Sequence, residues 1–143
     1  MQIVPATPTD LASISSLLDE LGLPTDGIAD QFPRAFVKVE RDGALAGCAA
    51  LEVYGRAGLL RSVAVSPSLQ HTGLGRALVA DRIAAARGMN LDGVYLLTTT
   101  AADYFPRLGF TPCDRQGVPA ALASSPEFAN VCPGSAKCLA FRL

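Results

Sequence analysis

The chain has 143 residues and a formal net charge of −1, with half of its residues hydrophobic and 17% charged. That fits one folded domain, able to bury about two-thirds of its unfolded surface, rather than a disordered segment. Near-neutral charge without a long basic block excludes broad nucleic-acid or anionic-membrane binding, and no apolar run nears the ~20 residues of a membrane helix.

The opening MQIVPATPTDL has neither the basic nor the apolar region of a secretory signal. Cys48, Cys113, Cys132 and Cys138 make no CxxC pair, so they read as reduced thiols and the cytoplasm as the compartment. No repeat, low-complexity tract or linker divides the chain, and residues 1–143 read as a single domain.

Ile3 and Val4 begin a strand. Thr7 is the expected N-cap of a helix, with Pro8 at its first position and Asp10 in its first turn. Leu11, Ile14, Leu17, Leu18 and Leu21 recur at helical spacing as its buried stripe. Residues 22–32 are irregular with one short helix. Residues 35–40 and 44–54 read as strands joined at Arg41-Asp42-Gly43, a hairpin signal. Residues 59–65 form another strand, stopped by Ser66-Pro67, and a helix covers about 75–87. A strand at 94–98, a short helix at 101–108 and a strand at 110–114 follow, and residues 137–143 close the sheet. The pattern is mixed α/β of the α+β type, antiparallel through its first half.

The chemistry centres on Val63-Ala64-Val65-Ser66-Pro67-Ser68-Leu69-Gln70-His71-Thr72-Gly73-Leu74-Gly75-Arg76. A strand ends, a loop turns, and two glycines lead into a helix whose first amides lack partners and carry partial positive charge. Gly73 and Gly75 have no Cβ, so a bulky anion can approach those amides. The expected product is a main-chain pyrophosphate cradle, with Arg76 adding a charge-assisted contact. No G-K-[ST] ending is present, which excludes a P-loop, and the third glycine of a dinucleotide fingerprint is missing. A tight strand-to-helix turn without a ligand remains the alternative.

This stretch resembles motif A of the GNAT N-acetyltransferase superfamily, Q/R-x-x-G-x-G/A after a V-x-V strand end. Residues 102–110, ending in Gly109-Phe110, look like its motif B. The resemblance covers nearly the whole chain. It implies a mixed, mostly antiparallel central sheet flanked by helices and splayed between strands four and five. It also implies acetyl-CoA as co-substrate, a small-molecule amine as acceptor and a homodimer. By it, the main chain at Val63, Ala64 and Val65 holds the acetyl and pantetheine arm, and the stretch Gln70, His71, Thr72, Gly73, Leu74, Gly75 and Arg76 binds the pyrophosphate.

A narrower likeness joins Leu96-Leu97-Thr98-Thr99-Thr100, Tyr104-Phe105 and Gly109-Phe110-Thr111-Pro112 to the acetyltransferase domain of N-acetylglutamate synthases. The ending Glu127-Phe128 through Cys132-Pro133 and Ser135-Ala136-Lys137-Cys138 is similar to arsenic-resistance-associated N-acetyltransferases. Both imply a small amino acid or glutamate-like analogue as acceptor.

One position departs from the family. Where it often has a tyrosine that protonates the leaving thiolate, five residues before Phe110, this chain has Phe105. Tyr104 is adjacent, but consecutive helical residues point about 100° apart. A thiol of pKa about 8–9 leaves without a dedicated acid, and the hydroxyls of Thr98, Thr99 and Thr100 or water are alternative donors. The same departure supports a rival reading, an acyl-CoA-binding or regulatory module that does not turn over.

Glu52, inside an otherwise apolar run, is the candidate general base, with a solvent-edge carboxylate or a structural partner of Arg61 as the bland alternatives. Arg61 lies two residues before Val63, so strand alternation places both side chains on one face. Its guanidinium there would grip an acidic substrate by a bidentate fork. His71 is the only histidine, and its place in the loop suits its amide better than nucleophilic use of its ring. No metal is expected; Cys113, Cys132 and Cys138 read as small hydrophobes, with thiol binding of an arsenical as the minor alternative.

Overall fold

The computed structural model describes residues 2–131 and 135–143. Four strands, β1 (Ile3–Pro5), β2 (Phe36–Arg41), β3 (Ala44–Tyr54) and β4 (Ala57–Val65), pair antiparallel in that order. Two tight turns fix their register. Asp42 and Gly43 sit at φ 54° and 78° between β2 and β3, the primed-turn geometry that follows strand twist. Gly55, at φ 63°, opens the turn from β3 into β4.

The other half is parallel only at its seam. β5 (Gly93–Thr98) meets β4 through three pairs, Ala57–Leu59 against Gly93–Tyr95. Beyond them the strands part, which is the expected splay. β6 (Thr111–Pro112) and β7 (Lys137–Arg142) complete the order β1-β2-β3-β4-β5-β7-β6. The last strand therefore inserts between β5 and β6 instead of closing the sheet. The strand expected over 110–114 shrinks to two edge residues, with one further ladder bond from the Cys113 N–H to the Cys138 carbonyl.

Each face carries its own helix. A single 3-10 turn, Pro8–Asp10, leads into α1 (Leu11–Glu20). The Thr7 N–H donates to the Asp10 carboxylate at 2.7 Å, and that carboxylate also accepts from Lys38 Nζ at 2.9 Å. Ile14, Leu17 and Leu18 of α1 pack on Phe36, Cys48, Ala50 and Ala64. On the opposite face α2 (Leu74–Gly88) buries Leu74 and Leu78 on Val37, Val39 and Ala49, and Val79 and Ile83 on Leu51, Leu60 and Leu96. Strand alternation sorts the two sets.

On the α1 side, α3 (Ala120–Ala123) and a π-helical turn, Glu127–Val131, cover the far end of β4 and β7. The short helix expected at 101–108 is a turn followed by one 3-10 turn, Phe105–Leu108. Among the described residues no helix is long and apolar enough to cross a membrane.

Phe110 ties the motif B turn to the sheet. It is 2% exposed, with its ring edge-on to Phe105 at 5.7 Å and Phe141 at 5.4 Å. Phe110→Ala is expected to cost about 3–5 kcal/mol, read as a lower urea midpoint with an unchanged slope; a loss below about 1 kcal/mol would show that the turn is anchored elsewhere.

Candidate functional site

A bulge in β4 organises the site. Arg61 pairs with Ala50 and Ala64 with Cys48, so Ser62 and Val63 together face Ala49. Ser62 takes φ 57°. The extra residue breaks the two-residue alternation. Arg61 and Ala64 lie on the α1 face, while Val63 turns to the α2 face and packs there with Val65. Arg61 and Val63 therefore do not share a face, contrary to the expectation from uninterrupted alternation.

Between the parted strands lies a cavity of about 200 Å³, walled by Leu60–Val63 on one side and Leu96–Thr98 on the other, with Tyr104 and Phe105 at its mouth. At Val63 and Tyr104 it adjoins a second cavity of about 520 Å³, which runs past Gln70, His71, Gly73, Gly75, Arg76 and Arg107. The first intrahelical bond of α2 is Ala77 N–H to the Gly73 carbonyl, so the amides of Leu74, Gly75 and Arg76 precede the helical ladder at this edge. Gly73 is the N-cap, at φ 90°. A Cβ on Gly75 would lie 3.0 Å from the Tyr104 hydroxyl. A helix N-terminus, two arginines and open space suit a large polyanion.

Most of the loop residues singled out from sequence meet here. Val63, Val65, Gln70, His71, Gly73, Gly75 and Arg76 line the larger cavity. Three others turn their side chains elsewhere: Ala64 into the α1-side core, Leu74 under α2, and the Thr72 hydroxyl onto the Leu69 carbonyl. These three have only main chain to offer. Gln70 Nε2 donates to the Val65 carbonyl at 3.2 Å, and His71 sits at φ 67°.

Phe105 is buried against Phe110 and closes the narrow cavity. Tyr104, 37% exposed, borders both cavities. Neither Tyr104's bridging position nor Arg107 follows from the sequence, because a 3-10 turn and not an α-helix presents them.

On the α1 face a buried charge cluster surrounds Arg61. Its Nη2 donates to the carbonyls of Asp26 at 3.0 Å and Pro24 at 3.5 Å, and its Nη1 donates to Glu52 Oε2 at 3.5 Å. Glu52 Oε1 accepts from the Tyr54 hydroxyl at 2.7 Å. Glu52 is thus no solvent-edge carboxylate: it is 2% exposed, with both oxygens occupied.

A second carboxylate, Glu127, brings Oε1 to 3.4 Å from Arg61 Nε without a hydrogen bond. Burial lifts the Glu127 carboxyl to about 7, against the opposing pull of Arg61. Burial, then the Glu52 hydrogen bond, keeps the Tyr54 phenol well above its usual range. Glu127 escaped the sequence reading because no local pattern links it to β4.

The thiols are divided. Cys48 is buried and donates to the Ser62 carbonyl at 3.3 Å. Cys113 and Cys138 are neighbours across β6 and β7, the Cys113 N–H donating to the Cys138 carbonyl. Cys132 lies outside the described residues, among which no group of three or more His, Cys, Asp or Glu could hold a metal ion.

Residues 33–112 match a family model described as an acetyltransferase (GNAT) domain. An amino-acid acetyltransferase of Pseudomonas aeruginosa is 39% identical over 95 residues, which is 65% of this chain but only 22% of that protein. N-acetylglutamate synthase from Neisseria gonorrhoeae, solved with coenzyme A and N-acetyl-glutamate, superposes with a TM-score of 0.85 at 27% identity, over 99% of this chain and 35% of that one. A Mycobacterium tuberculosis protein solved with CoA and a second ligand gives a TM-score of 0.83 at 25% identity, covering 100% and 99% of the two chains. The chain thus spans about a fifth of the curated relatives it matches and about a third of the Neisseria synthase. With the match over more than half its length, the splayed sheet and the polyanion-ready N-terminus of α2, the chain belongs to the GNAT acetyltransferase family, whose co-substrate is acetyl-CoA.

Proposed function

We propose that the protein is an N-acetyltransferase that moves acetyl directly from acetyl-CoA to the α-amine of a small amino acid of the glutamate class. The observation that carries this reading is the two-sided cleft. A cationic helix N-terminus faces one side of the sheet and the Arg61 cluster the other, with the narrow cavity between them. The relatives, an amino-acid acetyltransferase and an N-acetylglutamate synthase, support the acceptor class. Cytoplasmic residence rests on the reading of the cysteines as reduced thiols, and a homodimer on the sequence resemblance alone.

In this reading the amides of residues 71–76 hold the pyrophosphate, with Arg76 and Arg107 beside them. Bound acetyl-CoA supplies a thioester carbonyl as the electrophile. The acceptor nitrogen bonds to that carbon, the carbon–sulfur bond breaks, one amine proton leaves and the sulfur gains one. The α-amine of a free amino acid is mostly protonated near neutral pH, so it sheds a proton to water before it attacks; Glu52, with both oxygens occupied, serves to fix Arg61, which would hold the acceptor's acidic group. The side chain of Phe105 cannot supply the sulfur's proton. That position is the one feature favouring the rival, a non-catalytic acyl-CoA-binding module.

Incubation with acetyl-CoA and a panel of amino acids, following free thiol, separates the two; no release with any amino acid would establish the rival. Gly75→Val is expected to weaken coenzyme A binding at least about tenfold, because its branches displace the Tyr104 hydroxyl and stand over the amides. Unchanged affinity by calorimetry in a folded variant would overturn the cradle. Tyr104→Phe is expected to change kcat only a few-fold, far from the roughly 10²–10⁴ of a true general acid. A hundredfold fall with normal binding would instead make Tyr104 the proton donor.

A further inference from the structure

The cluster around Arg61 is unevenly satisfied. With Glu52 and Glu127 both ionised it carries one positive and two negative charges. Glu52 uses both of its oxygens, one on Tyr54 and one on Arg61. Glu127 does not: its Oε2 is buried with no partner among the described residues, and the Arg61 Nε facing its Oε1 has no acceptor either. A buried guanidinium edge and a buried carboxylate lie side by side, and neither is fully hydrogen-bonded, an arrangement whose desolvation is poorly repaid. Arg61 also borders the narrow cavity.

We infer that Glu127 is a specificity-determining gate on Arg61: an anionic group of the acceptor takes the Nε edge, and Glu127 gives up the ion pair and takes one proton from solvent. The inference rests on the acidic-acceptor reading above. One negative charge enters, one proton follows it, and the buried cluster keeps the same net charge. An acceptor without an acidic group offers nothing in exchange and leaves the pair closed.

The groups that face Glu127 agree with that proton going to it. Glu52 on β3 and Arg61 on β4 pull in opposite directions, and Arg115, in the turn after β6, favours the ionised form. Tyr54, also on β3, stays neutral. Burial outweighs the cations and holds the Glu127 carboxyl at about 7, so a small change beside it suffices to move its proton.

The test is calorimetry of N-acetyl-L-glutamate binding to the coenzyme A-saturated protein, in buffers of different ionisation enthalpy. This probe carries the acid but no titrating amine. About one proton should be taken up per ligand at pH 8 and about none at pH 5.5, where Glu127 is already protonated. Glu127→Gln should bind with no uptake at pH 8 and with an affinity flat from pH 6 to 8. Binding without uptake in the wild type, or uptake unchanged in the variant, overturns the gate alone. If no acidic probe binds a protein that still binds coenzyme A, or if Arg61→Lys binds as tightly as the wild type, the acidic-acceptor reading falls and the gate with it. Should Glu127→Gln fail to fold, the wild-type contrast between pH 8 and pH 5.5 decides the matter.

Discussion

The two-for-one pairing of Ser62 and Val63 against Ala49 is the constraint from which the cleft follows. A bulged strand bends and twists more than its partner, and β4 keeps only three pairs with β5 before the two separate. The same extra residue distributes side chains. Arg61 goes to the α1 face and Val63 to the α2 face, so one short stretch of strand serves both sides of the sheet. The bulge has its own support: the Cys48 thiol, pushed up to about 12 by burial, stays protonated and donates to the Ser62 carbonyl that the ladder has abandoned.

On the α2 side the two loop glycines are needed for different reasons. Gly73 has open space around its missing Cβ but a φ of 90° that side chains rarely adopt. Gly75 has no such backbone demand; a Cβ there would crowd the Tyr104 hydroxyl. That hydroxyl belongs to the residue that caps the Phe105–Leu108 turn, whose ring stands edge-on to Phe105 at 5.2 Å. Phe105 turns inward onto Phe110, and Tyr104 is left at the junction of the two cavities.

What was legible in the sequence was local. The Asp42-Gly43 turn, the stripe of α1 and the glycine entry to α2 each depend on residues within a few positions of one another, and each formed where expected. What was not legible depends on partners distant in the chain. A bulge is a count of residues on one strand against another, so alternation along β4 alone put Arg61 beside Val63. The insertion of β7 between β5 and β6 is likewise a choice between edges. Glu127 reaches Arg61 only through the fold, and Cys113 meets Cys138 only because β6 and β7 pair. A short helix was expected at residues 101–108, but Pro106 and a Gly109 at φ 100° leave room for one turn.

The charges on the two sides of the sheet are opposite in sign, and on the proposed reaction each set has its own task. Arg76, Arg107 and the N-terminus of α2 meet the pyrophosphate, a pantetheine arm away from the reacting sulfur, and so hold the donor without acting on its leaving group. Glu52 and Glu127 outnumber Arg61 on the side from which the amine arrives, where positive charge grows on nitrogen as its bond to carbon forms. Fixed negative charge there favours that growth without reorganising as it develops. A thiol of pKa about 8–9 can leave as the thiolate, and on that ground a buried phenylalanine at position 105 is compatible with the proposed turnover. The same growth of charge is why the cation on the acceptor side must be screened: an unpaired Arg61 would oppose the charge growing on nitrogen, and two carboxylates against one guanidinium reverse its sign. A gate that exchanges Glu127 for the acceptor's own acid preserves that reversal throughout binding.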